Sequence, residues 1–279
     1  MHVQEVLNQY SVGQRDFRDA DLVGVDLSGQ DLRKANFRRA NLSKANLVGA
    51  DLTLANLREA TLLGADLSQA TLIEANLIGA NLSQATLQGA NLTDAGMRGA
   101  KLMDANLKLA ILVEVNLAEA SLDRATLNGA NLSEATLNRA KLIAVDLTQA
   151  ILDGASLCNA ILSEAILKGA TLVNASLHGV SMEDADLRQA DLSRSKLVSA
   201  HLMNANLTQA NIRSANLCWT SLRGATLHKA NLYRAKLSWA NLSEADLTEA
   251  VLINAKLNQA NLLHANLTGA IMPNGETHV

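Results

Sequence analysis

A large apolar residue, almost always leucine, occupies every fifth position from Phe17 to Met272 without a slip. Two positions before each stands a small residue, almost always alanine, so the chain reads A-(N/D/T/S)-L-x-x about fifty times with no insertion. A helix turns about 100° per residue, so a five-residue step turns about 500° and smears successive leucines around the cylinder. A straight strand has a side-chain period of two, so an odd repeat sends successive leucines to opposite faces. Neither regular element buries all of them on one side. A chain that bends once per repeat does. Each five-residue side then gives its leucine and its alanine to a shared interior, and the other three positions look outward.

The interior must be made of these two residue types, because 48% of the chain is hydrophobic and only 2% is aromatic. The alanine position has to stay small in a narrow bore. Its departures are mild at Val25, Val115, Val145, Val180, Ser195 and Thr220, and larger at Arg15 and Gln30, near the N-terminal end where a coil is looser. The frequent Asn or Asp before each leucine suits a bend, since these side chains bond nearby backbone. Gly49, Gly89 and Gly129 fall at the last position of their repeats and read as turn residues. Length alone favours two domains, but an unbroken period implies one repetitive body.

Runs such as Ala50–Ala60 and Ala240–Ala250 (AdLtlANLreA and AnLseAdLteA) resemble the pentapeptide-repeat proteins. The resemblance covers roughly 92% of the chain in one frame. It implies an all-β solenoid, a right-handed quadrilateral parallel β-helix with four repeats per coil. About 52 repeats would then make about 13 coils, and at the ~4.8 Å strand spacing a rod about 60 Å long. Phe17 and Phe37, and Trp219 and Trp239, are each twenty apart, as four-sidedness requires. The expected organisation is an N-terminal helical cap over 1–14, the β-helix over 15–272 and a tail over 273–279. Val3, Val6, Leu7 and Tyr10 lie at helical spacing and Gly13 stops the run. In the tail, Pro273 removes a ladder donor and Asn274-Gly275 signals a turn. The two ends together resemble cyanobacterial members of the family, of the type linked to heterocyst differentiation. Some relatives dimerise end to end through the C-terminal coil, which makes an end-to-end homodimer one expectation here.

Formal net charge is -3 and the pI about 6.1, so the chain is neither a polyanion nor a basic nucleic-acid binder. The charge is uneven. Residues 61–190 carry 8 basic and 14 acidic side chains, and residues 191–279 carry 8 and 5. The N-terminal segment lacks the basic-then-apolar order of a signal peptide, and no run approaches the ~20 apolar residues of a membrane span. Two cysteines do not make a disulfide framework. The expectation is a soluble cytoplasmic protein. Neither of the glycine-rich phosphate-loop motifs, G-x-x-x-x-G-K-[ST] and G-x-G-x-x-G, occurs, and no cofactor or metal is expected.

A twenty-residue coil gives the surface a coordinate system. It stacks Asn138, Cys158 and His178 in one outward column, a composition like that of a cysteine-protease triad. With cysteine in the middle of the column, asparagine cannot orient the far side of histidine, the flat ladder offers no pocket or oxyanion donors, and two ligands alone make a weak metal site. The remaining histidines are scattered singly and read as solvated surface. A basic group, Arg33, Lys34, Arg38, Arg39 and Lys44, has Asp19 and Glu59 flanking Arg39, which favours a mutually paired face. An aromatic group lies toward the C-terminus: Trp219 and Trp239 in one column, with Tyr233, Arg234 and Arg213 nearby, and Arg223, His228 and Lys229 in the vicinity. Exposed Trp, Tyr and Arg together are the usual composition of interaction hot spots, against the alternative of a Trp pair that only stabilises the ladder.

The function expected is a non-catalytic protein–protein interaction scaffold, regulatory in kind, with no catalytic residues and an unidentified protein as partner. Small-molecule and nucleic-acid binding are disfavoured. One alternative is the DNA mimicry by which some relatives act on type II topoisomerases. Duplex DNA carries about one charge per 1.7 Å, several-fold more than this chain presents even in its acidic middle. The other alternative is a structural rod with no specific partner.

Overall fold

The computed structural model describes Glu5, Asn8 and residues 10–279. The residues form two compact units, Met1–Lys141 and Leu142–Val279. Each unit is a stack of four-sided coils. The residue before each leucine forms a parallel bridge with its counterpart twenty residues on, as in Asn36↔Asn56 of the first unit and Asn216↔Lys236 of the second. Four five-residue sides therefore close one turn. This is the arrangement of the right-handed quadrilateral β-helix.

The hydrogen bonds explain why five residues suffice. In the repeat Asn41–Ala45, Leu42 N–H donates to Thr61 O at 2.7 Å and Lys44 N–H to Leu63 O at 2.9 Å, both in the next coil. Ala45 N–H closes the bend onto Leu42 O at 3.1 Å, and Asn41 N–H reaches back to Ala20 O at 2.9 Å. The remaining donor, Ser43 N–H, goes to Asn41 Oδ1 at 3.2 Å. All five donors are used. The Asn/Asp preference is thus the side chain that satisfies the one N–H the ladder leaves over. The residue before each alanine-column position is left-handed whatever its type, as Lys44 is, with φ of 53–63° at non-glycine positions from Asp19 to His264. A type II bend demands that sign. Gly129, at φ 65°, also lies beneath Leu109, whose Cδ2 would be 2.9 Å from an added Cβ.

Leucines and alanines fill the bore. The leucines at every fifth position from Leu27 to Leu252 are at most 1% exposed, as are the alanines two positions before them from Ala35 to Ala250. Phe17 and Phe37 stack inside at 5.4 Å between centroids. The larger residues in the alanine column are accommodated by the bend. At Val25, Val115, Val145 and Val180 the bend hydrogen bond is 3.3 Å, against 3.0 Å at typical alanines such as Ala80 and Ala130. Ser195 and Thr220 are 1% exposed, and each hydroxyl donates to a backbone carbonyl, Leu192 O at 2.6 Å and Leu197 O at 2.7 Å.

The ends differ from the interior. Val3, Val6 and Leu7 of the expected cap lie outside the described residues. Glu5, Asn8, Tyr10 and Ser11 are helical, and Gly13 follows at φ 93°. Tyr10 is fixed to the first coils: its hydroxyl donates to Arg33 O at 2.9 Å, and Arg15 lies over its ring at 3.6 Å. Arg15 and Gln30 are half-buried, so the coil at that end holds the two largest departures from alanine. At the other end, Leu257, Leu262 and Leu267 are only partly covered. The tail turns back at Met272–Gly275 and bridges Ile271 to Thr277 in antiparallel sense, with His278 N–H donating to Ala270 O at 2.8 Å.

Leu132 and Ala135 are both 0% exposed. Leu132→Ala should cost about 2–5 kcal/mol through the cavity it leaves. Ala135→Phe should lower the thermal midpoint by overpacking the bore. A melting curve for Ala135→Phe that coincided with the parent's would be incompatible with this interior.

Candidate functional site

In the second unit the side that runs through Ala215, Asn216 and Leu217 is bounded by bends at Arg213-Ser214 and Cys218-Trp219. Its counterparts in neighbouring coils are 193–199, 233–239 and 253–259. Trp219 and Trp239 stand at the left-handed position of one bend, each at φ 63°, which aims both side chains away from the bore. Their rings stack at 5.0 Å between centroids and 2° between planes, yet remain 59% and 51% exposed. Mutual stacking therefore leaves much of both indoles in water.

The opposite bend carries Tyr233. Its ring has two guanidinium groups near it, Arg234 with Cζ at 5.0 Å and Arg213 with Cζ at 5.5 Å, within cation–π reach. Beside them Ser193, Arg194, Asn211, Arg213 and Ser214 line a shallow depression of about 310 Å³. The five expected residues thus occupy the two bends that frame one side, the tryptophans on one and Tyr233, Arg234 and Arg213 on the other.

Arg223, His228 and Lys229, expected near this group, stand at the bends of the opposite side and do not belong to it. Arg223 is paired with Glu244 at 3.1 Å and Lys229 with Glu249 at 3.5 Å, both away from this side. Four side chains that sequence reasoning passed over do belong: Arg194 at the Tyr233 bend and Lys196, Lys236 and Lys256 along the straight segment between the bends, all exposed. Position in the twenty-residue frame was the signal that could have found them.

The cysteine column carries no comparable chemistry. Asn138 belongs to the first unit and Cys158 and His178 to the second. Cys158 Sγ lies 3.4 Å from Ser176 Oγ and 3.8 Å from Ser156 Oγ, so its close neighbours are hydroxyls. Among the described residues no group of three or more His, Cys, Asp or Glu could hold a metal. The three arginines of the N-terminal basic group are ion-paired: Arg33 to Asp31 at 2.6 Å, Arg39 to Asp19 at 2.7 Å and Arg38 to Glu59 at 3.8 Å. The Arg33 hydrogen bonds hold the Asp31 carboxyl below the usual carboxylate range.

These features define a β-helical repeat protein whose surface chemistry is carried by columns of side chains. Pentapeptide repeats match in successive copies between residues 16 and 274, and the chain belongs to the pentapeptide-repeat family. It is similar to HetL of the cyanobacterium Nostoc sp. strain PCC 7120, a pentapeptide-repeat protein involved in heterocyst differentiation regulation, with 32% identity over 100% of both chains and a TM-score of 0.37. A thylakoid-lumen pentapeptide-repeat protein of Arabidopsis thaliana is 36% identical over 39% of this chain and 73% of its own, with a TM-score of 0.35. QnrB1, a plasmid-mediated fluoroquinolone resistance protein, is 15% identical over 85% of this chain and 89% of its own, with a TM-score of 0.23. No curated relative matches the chain. Among the described residues no helix is long and apolar enough to cross a membrane.

The contrast between paired and free cations is measurable. Hydrogen bonds from Arg188 at 2.6 and 2.8 Å hold the Asp186 carboxyl below its ordinary range. A depressed carboxyl stabilises the fold above its unfolded pKa of about 3.9 and loses that contribution as pH falls. Arg188→Ala should therefore slightly lower the thermal midpoint near pH 6, and the difference should vanish in strong acid. Lys236→Ala, which breaks no ion pair, should not lower the thermal midpoint across the same range. A pH series of melting curves for both variants checks this.

Proposed function

We propose that this protein is a non-catalytic, cytoplasmic interaction scaffold that binds a protein partner through the side framed by Trp219 and Trp239 on one bend and Tyr233, Arg234 and Arg213 on the other. The observation that carries the reading is two tryptophans, more than half exposed, in a chain that holds only two. Large rigid rings in water are the residues that contribute most when an interface covers them. The family relation supports a regulatory role, since HetL is involved in heterocyst differentiation regulation. About 13 coils over 15–272, a helical cap over 1–14 and a tail over 273–279 complete the proposed organisation, and the Tyr10 contacts with Arg33 and Arg15 support the cap.

Topoisomerase protection by DNA mimicry is the weaker reading, because the most distinctive side of the second unit is basic and aromatic where a mimic needs acid. A rod with no specific partner predicts that the tryptophans do nothing beyond the ladder. Affinity capture from the native host with the parent and with Trp219→Ala/Trp239→Ala separates these readings. The scaffold reading expects at least one protein captured by the parent and lost with the variant at matched thermal stability. Identical capture by both would remove this side from consideration.

The terminal coil bears on self-association. Leu257, Leu262 and Leu267 are partly open, and the tail occupies edge groups at Gly269 and Ala270. An unpaired β edge with an apolar rim associates readily, and a folded-back tail blocks it. A chain ending at Ala270 should therefore show a higher mass by light scattering than the full chain at equal concentration. Equal masses would mean that the tail has no such role.

A further inference from the structure

The scaffold reading leaves the chemistry of the partner open, and the cations of the second unit specify it. Residues 191–279 contain eight Lys and Arg side chains. Two of them, Arg223 and Lys229, are neutralised by Glu244 and Glu249 on other sides of the coil. The other six, Arg194, Lys196, Arg213, Arg234, Lys236 and Lys256, all fall on the framed side or its bends. Among the described residues none of these six is ion-paired to a carboxylate. The positions 193–199, 213–219, 233–239 and 253–259 contain no Asp or Glu at all.

The carboxylates of the same segment are engaged elsewhere. Asp191 accepts from Ser193 N–H at 2.8 Å and from Asn211 Nδ2 at 3.0 Å. Asp246 accepts from Thr248 N–H at 2.9 Å, and Glu276 from Asn274 Nδ2 at 2.7 Å. The protein thus pairs its cations on the other sides of this segment and leaves one strip uncompensated. Like charges stacked on adjacent coils repel one another, so the strip stabilises nothing by itself.

We propose that this strip binds an extended acidic segment of a partner protein, whose carboxylates meet Lys196, Lys236, Lys256 and the arginines while an apolar side chain covers the Trp219–Trp239 pair. This inference rests on the partner-binding reading above. The dimensions favour a single peptide chain. A side of three straight residues is roughly 10 Å wide at about 3.3 Å per residue, the width of one extended strand with its side chains. Cations recur along the strip at multiples of about 4.8 Å, and alternate side chains of an extended peptide at about 6.6 Å. Flexible lysine stems absorb that mismatch. Arginine forks at the Tyr233 bend suit bidentate carboxylates.

Nucleic acid fits the strip less well. Its backbone phosphates need a broad positive field, whereas the carboxylates of Glu244 and Glu249 stand at the two bends of the opposite side and limit the positive field to this face. Bases stack on open ring faces, and each indole here already has one face taken by the other at 5.0 Å.

The two tryptophans are also the only ones in the chain, so intrinsic fluorescence reports occupancy of this strip directly. The test is a titration of the full-length protein with a fluorescein-free twelve-residue peptide rich in Glu with one central Leu-Leu. A Lys-for-Glu counterpart and a twelve-nucleotide oligo-dT serve as the other arms. Each is repeated with Lys196→Glu/Lys236→Glu/Lys256→Glu, and with the three lysines changed to Gln, after melting curves establish parent-like folding. The acidic peptide should change the tryptophan emission of the parent and bind at least roughly tenfold more weakly to the Glu variant, with the Gln variant intermediate. Binding should also weaken as salt rises from about 0.05 to 0.5 M. The inference is overturned by no response to the acidic peptide, by equal affinity in the Glu variant, or by tighter binding of oligo-dT. Capture of a host protein that depends on the tryptophans but survives the lysine changes would sink this inference alone and leave the scaffold reading standing.

Discussion

Everything in this fold depends on a bend that recurs before the chain has travelled far enough to leave a hydrogen bond unmade. Within five residues four N–H groups are consumed by the bend and the neighbouring coils, and in repeats with Asn or Asp the side chain takes the fifth. The left-handed residue at each corner is disfavoured by about 1–2 kcal/mol for an L-amino acid. Its own N–H is tied to the next coil, as Lys44 is to Leu63 O, so the ladder sustains the conformation. The same geometry makes the bore narrow. A valine at the alanine position already stretches the bend bond to 3.3 Å, which is why alanine dominates there.

A coil built this way fixes where chemistry can occur. Among the described residues the interior is occupied mostly by leucine and alanine, so the reactive side chains lie outside it. The corner residues and the residue before each leucine remain, in columns spaced by the coil. Catalysis needs groups converging from several directions, and a column supplies them from one. Recognition of an extended, complementary surface needs only that a column present the right side chains at the right interval. The Trp219–Trp239 pair, coplanar within 2°, shows how strictly the ladder imposes that interval on its side chains.

Much of this was legible in the sequence because the repeat is a frame. The period, with the four-sided coil that the family resemblance implies, placed Phe17 over Phe37 and Trp219 over Trp239, identified the glycines at corners, and marked Arg15 and Gln30 as departures at the N-terminal end. Pairing was not legible. Arg223 and Lys229 seemed part of the aromatic group by proximity in sequence, yet they reach Glu244 and Glu249. Lys196, Lys236 and Lys256 are scattered in sequence and align only once the coil is closed. Which cation finds a carboxylate depends on side-chain reach across coils, and a one-letter pattern does not carry that.

The distribution of charge then says more than its sum. A formal net charge of -3 looks featureless, and it conceals a side with six cations and no anion. A repeat protein gains little stability from surface ion pairs, each contributing under about 1 kcal/mol, so the arrangement of those pairs is only loosely constrained by folding. Where the fold is indifferent, a consistent exclusion of Asp and Glu from four successive coils of one side, with the paired cations at the bends of the opposite side, is better explained by what approaches that side than by the ladder beneath it.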